Sequence, residues 1–143
     1  MLLLSTGIKY NNNNHLVPRK KTLMICEDDK DLLQLFGLAF KSKYNIILVD
    51  SGEECVDRYI QKKNEGNKID LILLDYGLRD GILGDSVARK IKEYDEIKII
   101  LISSYDLDDE LLKELHDNKF ITKYIEKPTY VNDLIDLVSE LVC

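Results

Sequence analysis

The stretch Leu23–Asp29, LMICEDD, is a short apolar run that ends directly in a cluster of acids. A second run, Leu71–Leu74, is followed at once by Asp75. Short runs rich in Ile and Leu are typical of strands that are buried on both faces of a parallel sheet. Because the carboxyl ends of parallel strands meet at one edge of the sheet, we expect these acids to lie close together.

Strand-like and helix-like segments alternate along the rest of the chain. The predicted strands are Thr22–Cys26, Ile46–Val49, Leu71–Leu74, Ile97–Ile102 and Lys123–Ile125. The predicted helices, which carry apolar residues at helical spacing, are Asp31–Lys41, Gly52–Asn64, Gly84–Glu93, Asp108–Asn118 and Tyr130–Val142. Their connections are too long for hairpins and require crossovers. The sequence therefore predicts an α/β fold with a doubly wound, five-stranded parallel sheet and five helices.

Composition indicates an ordinary globular domain. The chain has 143 residues, of which 45% are apolar and 32% charged. Its net charge of -6, with scattered basic residues, argues against direct nucleic-acid binding. No segment suits a signal peptide or a membrane span, and the three cysteines show no metal-like spacing. We expect a cytoplasmic protein with reduced thiols and no membrane insertion.

The N-terminal residues differ from the rest in composition. Residues 1–20 are predicted to be a flexible extension, because the low-complexity run Asn11–Asn14 cannot bury enough surface to become ordered. Leu16–Arg19 reads LVPR, which looks like a thrombin-type cleavage sequence, although a native tail is favoured. Residues 21–143 are predicted to form one domain. Because the chain ends after the last predicted helix, no output domain is expected and any signal would leave by binding.

Polar residues at the predicted strand ends suggest a phosphoryl site. Glu27, Asp28 and Asp75 would repel one another unless a hard divalent cation were held between them, and Lys127 is the only nearby counter-charge expected. Ser103 follows the fourth predicted strand, and a hydroxyl and an ammonium both suit a phosphoryl group. Each residue alone could be a helix cap, a turn residue or a solvated side chain. The ordered set favours a functional site.

Roughly residues 21–143 resemble the receiver domains of two-component response regulators, and the stand-alone chemotaxis regulators in particular. The resemblance rests on four motifs, which are LMICEDDKDLL, DLILLDYG, IILISSYD and KYIEKP. It implies a flavodoxin-like fold with strand order 2-1-3-4-5, for which a member of this family is a standard example.

The resemblance also implies roles for individual residues. Asp75 would accept a phosphoryl group from a phosphohistidine, and Mg²⁺ would be held by Asp28, Asp75 and the backbone carbonyl of Gly77, with Glu27 acting through water. Lys127 would pair with Asp75 before transfer and with the phosphoryl oxygens afterwards. The domain would catalyse only its own phosphorylation and dephosphorylation, so it would not be an enzyme in the usual sense.

The resemblance further implies a switch and partners. Ser103 would donate a hydrogen bond to the phosphoryl group, and Tyr124 would turn inward, altering a binding surface. The expected partners are a sensor histidine kinase or a phosphotransfer protein and an unidentified downstream protein.

The loop after Asp75 departs from the family pattern. It reads YGLRDGILGD, lacks the usual proline and carries one extra residue before Gly84. Gly77 offers no side chain to orient an attacking water, and Tyr105 is bulky enough to shield a phosphoryl group. We expect these two residues to slow hydrolysis of the aspartyl phosphate.

Three other classes of protein share part of this pattern. A haloacid dehalogenase-type phosphatase needs a second Asp where this chain has Gly77. A nucleotide-binding domain needs a glycine-rich loop where this chain has Glu27, Asp28 and Asp29. A receiver-like interaction module that is never phosphorylated stays open as the alternative.

Overall fold

The structure is a computed structural model that describes residues 8–10, 12–79 and 81–142. In these ranges the strands are β1 (Ile8–Tyr10), β2 (Leu16–Pro18), β3 (Thr22–Cys26), β4 (Asn45–Val49), β5 (Leu71–Asp75), β6 (Lys98–Ser103) and β7 (Lys123–Glu126). The helices are α1 (Lys30–Phe40), α2 (Gly52–Asn64), α3 (Gly84–Lys92), α4 (Asp109–Asp117) and α5 (Val131–Val142). Every strand and helix predicted from the sequence is present.

Strands β3 to β7 form one parallel sheet in the order β4-β3-β5-β6-β7. Counted along the chain from β3, this is the order 2-1-3-4-5. Met24 in the middle of β3 lies opposite Ile47 of β4 and Ile72 of β5. The α/β fold and the flavodoxin-like strand order are therefore confirmed.

The sheet is covered on both faces, as its apolar strands predicted. Alternate residues of β3 belong to two separate cores, because successive side chains of a strand point to opposite faces. Leu23 and Ile25 pack with helices α1 and α5, whereas Met24 and Cys26 pack with α2, α3 and α4. All four side chains are almost completely buried.

Helix boundaries differ from the predicted ones by about one residue, because several predicted end residues are caps. Lys41, Glu93 and Asn118 are C-caps, and Asp108 is the N-cap of α4. The cap of α1 is Asp29, whose carboxylate accepts hydrogen bonds from the backbone amides two and three residues later. An N-cap of this kind contributes about 1 kcal/mol. Capping thus accounts for Asp29 and leaves Glu27 and Asp28 available for other chemistry.

The N-terminal segment contains a short antiparallel hairpin of β1 and β2, which the sequence did not predict. Directly after it, the Arg19 guanidinium donates to both carboxylate oxygens of Asp70 at 2.8 Å. Asp70 also accepts from the backbone amide of Thr22 at 2.8 Å. Residues 1–7 lie outside the described part of the chain, and the flexible extension over residues 1–20 stays a prediction.

Two further expectations concern the membrane and the cysteines. Among the described residues, no helix is both long enough and apolar enough to cross a membrane. Cys26 and Cys55 are free thiols in the core, and Cys143 lies outside the described residues. A hydrogen bond with Cys55, together with burial, raises the pKa of Cys26 far above its ordinary value. The Cys26 thiol is therefore protonated at neutral pH.

Candidate functional site

Three carboxylates meet at the carboxyl edge of the sheet, and we call them the acidic triad. Glu27 and Asp28 directly follow β3, and Asp75 is the last residue of β5. One oxygen from each carboxylate lies within 4.8 Å of the others. Glu27 and Asp75 are buried, whereas Asp28 is half-buried. The expectation that these acids converge is met because β3 and β5 are neighbouring parallel strands.

Lys127 lies between two members of the acidic triad. Its ammonium nitrogen is 2.7 Å from Glu27 Oε1 and 3.3 Å from Asp75 Oδ1. The lysine follows β7, and its backbone amide donates to the carbonyl of Ser103 at 2.7 Å. This bond fixes the chain that carries the ammonium against the end of β6. The predicted pairing of Lys127 with Asp75 is present, but the shorter contact is with Glu27.

Burial governs the charge state of Glu27. Burial raises the pKa of Glu27, and the hydrogen bond from Lys127 lowers it. The negative charge of Asp75 raises the pKa further, so that it moves from 4.5 to about 7. Burial would lower the pKa of Lys127, but the hydrogen bond with Glu27 and the charge of Asp75 outweigh it and raise the pKa. The ammonium is therefore charged at neutral pH, while Glu27 is close to its point of half-protonation.

Arg79 supplies a second cation, and the expectation that Lys127 would be the only counter-charge is wrong. Arg79 Nε donates to Asp28 Oδ2 at 2.8 Å, and the Arg79 backbone amide donates to the same oxygen at 3.0 Å. Partial burial raises the pKa of Asp28, but the hydrogen bonds from Arg79 outweigh it, so the pKa lies below its ordinary value. The signal in the sequence was a lone basic residue in the loop after Asp75. The carboxylate that the Arg79 side chain would contact could not be deduced without the conformation of the loop.

Ser103 and Tyr124 meet at the backbone of Tyr105. Ser103 is buried at the end of β6, where its hydroxyl oxygen accepts from the Tyr105 amide at 2.9 Å and its O–H donates to the Tyr105 carbonyl at 3.2 Å. The Tyr124 hydroxyl donates to that same carbonyl at 3.2 Å. The two residues predicted to form a switch therefore share one acceptor.

The Tyr105 ring lies against Gly77. A Cβ atom added to Gly77 would overlap Cε2 of the Tyr105 ring and lie 3.2 Å from its Cδ2. The Tyr76 ring completes the contact, with its centroid 6.2 Å from that of Tyr105 in an edge-to-face arrangement. The absence of a side chain at residue 77 is thus what allows Tyr105 to lie there. The sequence suggested that both residues affect hydrolysis of the aspartyl phosphate, but not that they are in contact.

The loop from Tyr76 to Leu83 is held at its far end. The backbone amide of Gly84 donates to the Tyr76 carbonyl at 2.9 Å, and a Cβ on Gly84 would lie 2.6 Å from the Asp75 carbonyl oxygen. The Glu53 carboxylate, at the start of α2, accepts from the Ile82 amide at 3.1 Å. The loop, whose geometry the sequence left open, is therefore anchored to α2 as well as to Asp28.

A family comparison agrees with this arrangement. The family model described as "Response regulator receiver domain" matches residues 23–139. The match covers most of the chain, so the protein belongs to the response regulator receiver domain family. A search of curated proteins finds no match.

Solved structures with the same fold include several receiver domains. A two-component response regulator from Clostridium difficile has 27% identity and a TM-score of 0.70, over 85% of this chain and 94% of that chain. A CheY-like receiver domain protein from Methanospirillum hungatei JF-1 has 24% identity and a TM-score of 0.70, over 84% and 91%. The receiver domain of a putative Luxo repressor protein from Vibrio parahaemolyticus has 22% identity and a TM-score of 0.72, over 86% and 90%. The last two bear on the fold alone.

The donor set of the acidic triad suits a hard divalent cation. Its members offer carboxylate oxygens, which are the ligands that Mg²⁺ prefers, and Asp28, the least buried of the three, leaves the cluster accessible to solvent on one side. Thiol or imidazole ligands, which would favour zinc, do not belong to this cluster. The residues present therefore fit magnesium.

Proposed function

We propose that this receiver domain accepts a phosphoryl group on Asp75 from the phosphohistidine of a sensor histidine kinase or a phosphotransfer protein. The observation that carries the proposal is the convergence of Asp75 with two further carboxylates and with Lys127 at one edge of the sheet. A buried carboxylate beside a fixed ammonium is an oriented nucleophile. In the transfer, an Asp75 oxygen forms a bond to phosphorus, the P–N bond of the donor breaks, and the imidazole nitrogen leaves with the electron pair.

The acidic triad would hold Mg²⁺ through Asp28 and Asp75, with the Gly77 carbonyl as a further ligand and Glu27 acting through water. When bound, magnesium neutralises charge on the phosphoryl oxygens. Lys127 can contribute in the same way, because moving its ammonium from Asp75 to a phosphoryl oxygen needs only a side-chain rotation. The domain would not be an enzyme with a separate substrate, since its own carboxylate carries the product.

The signal would leave through a change in the surface formed by α4, β7 and α5. Ser103 would turn its O–H from the Tyr105 carbonyl to a phosphoryl oxygen, and the loop after β6 would follow. Tyr124 on β7 bonds the same carbonyl, which supports its part in the response. A downstream protein would then bind the altered surface, with no direct contact to nucleic acid or insertion into a membrane. We expect these events to occur in the cytoplasm.

The test is incubation with acetyl phosphate and magnesium, followed by intact mass measurement. The wild-type protein should gain the mass of one phosphoryl group only when magnesium is present, and Asp75→Asn should gain none. Asp28→Ala should weaken magnesium binding and phosphorylation together. Phosphorylation of Asp75→Asn to the wild-type level would show that the acceptor is another residue.

A second candidate function is a receiver-like module that binds its partner without being phosphorylated. The pairing of Arg79 with Asp28 favours it, because a fixed guanidinium can take the place of a metal ion beside a carboxylate. This candidate predicts no magnesium-dependent mass gain in the same experiment.

A further inference from the structure

Arg79 binds Asp28 through three separate N–H groups. The Nε and backbone N–H groups both donate to Asp28 Oδ2, at 2.8 and 3.0 Å, and NH2 donates to the Asp28 carbonyl at 3.2 Å. A guanidinium that uses several donors at once fixes its partner more firmly than a single contact does. Most of the Arg79 side chain is nevertheless exposed to solvent, so it can leave without opening the core.

Asp28 is also the most accessible member of the acidic triad. Glu27 and Asp75 share the ammonium of Lys127, whereas Asp28 has the guanidinium of Arg79. A divalent cation bound by the triad would lie next to that guanidinium, and like charges at such short range repel. Two N–H donors already use the lone pairs of Oδ2, which lowers the capacity of that oxygen to bind a metal.

We infer that Arg79 competes with the divalent cation for Asp28, so that metal binding displaces the Arg79 side chain. The inference rests on the proposed function, because it takes the acidic triad to be the metal site. The Arg79 backbone amide bonds the same carboxylate oxygen, so a metal ion that takes Oδ2 would also release the backbone of the loop that follows β5. The two hydrogen bonds at the far end of the loop, from the Gly84 amide to Tyr76 and from the Ile82 amide to Glu53, would remain. Metal occupancy is thereby coupled to the position of this loop.

Magnesium affinity measured by isothermal titration calorimetry tests the inference on the full chain, without phosphorylation. Arg79→Ala should bind Mg²⁺ at least about threefold more tightly than the wild type, since the exposed ion pair and the repulsion are both removed. The gain should shrink as KCl rises from about 0.02 to about 0.5 M, because salt screens exposed charges. Arg79→Lys keeps the positive charge but not the planar set of N–H donors, so its magnesium affinity should lie between those of the wild type and Arg79→Ala.

Two control variants test whether a gain in magnesium affinity could come from the change in net charge or from a loosened loop instead. Lys113→Ala removes an exposed cation that is also paired with a carboxylate, but on α4, so it matches the change in net charge. Glu53→Gln weakens the other anchor of the loop while leaving Arg79 in place. Neither variant should gain affinity to the extent of Arg79→Ala.

The outcomes distinguish this inference from the proposed function. Saturable binding with equal affinity in the wild type and Arg79→Ala would overturn the competition and leave the metal site intact. Binding by Arg79→Ala but not by the wild type would support the strongest form of the competition. If neither protein binds magnesium, the inference and the proposed metal site both fail.

Discussion

The buried carboxyl of Glu27 makes the stability of the domain depend on pH. Its pKa is raised to about 7 in the folded protein, against an ordinary value of 4.5. The folded state therefore keeps a proton that the unfolded chain releases between these two pH values. The free energy of unfolding should consequently fall as the pH rises through this window.

The size of this effect follows from the shift in pKa. At about 1.4 kcal/mol per pKa unit, ionisation of Glu27 costs the folded state up to about 3 kcal/mol above pH ~7. Glu27→Gln cannot ionise, and its amide oxygen can still accept the hydrogen bond from Lys127. The variant should therefore gain stability relative to the wild type as the pH rises, by up to about 3 kcal/mol between pH ~4.5 and pH ~7.5.

The assay is urea unfolding followed by circular dichroism at pH ~5 and pH ~8, with EDTA present to remove divalent cations. Glu93→Gln, at an exposed position, is the control for the loss of one carboxylate. A difference between Glu27→Gln and the wild type that is equal at the two pH values would refute the reasoning. In that case Lys127 would hold Glu27 ionised in spite of its burial.

The remaining predictions concern switching and phosphoryl lifetime. Lys127→Ala should still accept a phosphoryl group on Asp75. In NMR spectra it should lose the chemical-shift changes that phosphorylation causes at distant amides, because the ammonium that draws the site together is missing. If the variant shows the same shift changes as the wild type, Lys127 has no part in the switch. Gly77→Asn should shorten the life of the aspartyl phosphate, because its Cβ must push the Tyr105 ring aside and its amide can orient water. Tyr105→Ala, which removes the ring without adding an amide, should shorten it less. The measurement is loss of phosphate over time in excess magnesium without kinase, and unchanged decay in Gly77→Asn would contradict the placement of residue 77 beside the phosphoryl group.

The fold could be predicted from the sequence because its determinants are local. Apolar runs such as Leu71–Leu74 are too hydrophobic for a one-sided sheet, and the segments between them show helical spacing. Cap residues such as Asp29 and Ser51 mark where helices begin. The hairpin of β1 and β2 was missed, since each of its strands has only three residues, too few for an apolar or alternating pattern to distinguish it from a tail.

The members of the site could also be predicted, because parallel strands bring their carboxyl ends to one edge whatever the loops do. Glu27, Asp75 and Lys127 each lie within one or two residues of a strand end, so the topology alone places them together. The pairing of Lys127 with Glu27 was not predicted. Which of two carboxylates receives the shorter contact depends on rotamers and burial, and these are set by the packed structure.

The sequence by itself determined the order of the elements, the two buried faces of the sheet and the set of residues at its carboxyl edge. Only the tertiary structure decided that Arg79 lies on Asp28 and that the Tyr105 ring lies on Gly77. Both contacts are made by loops, whose conformation depends on residues distant in sequence, such as Glu53, which holds the amide of Ile82. A strand end is fixed by the hydrogen bonds of the sheet, whereas the direction of a loop side chain is fixed by contacts that exist only after the chain has folded.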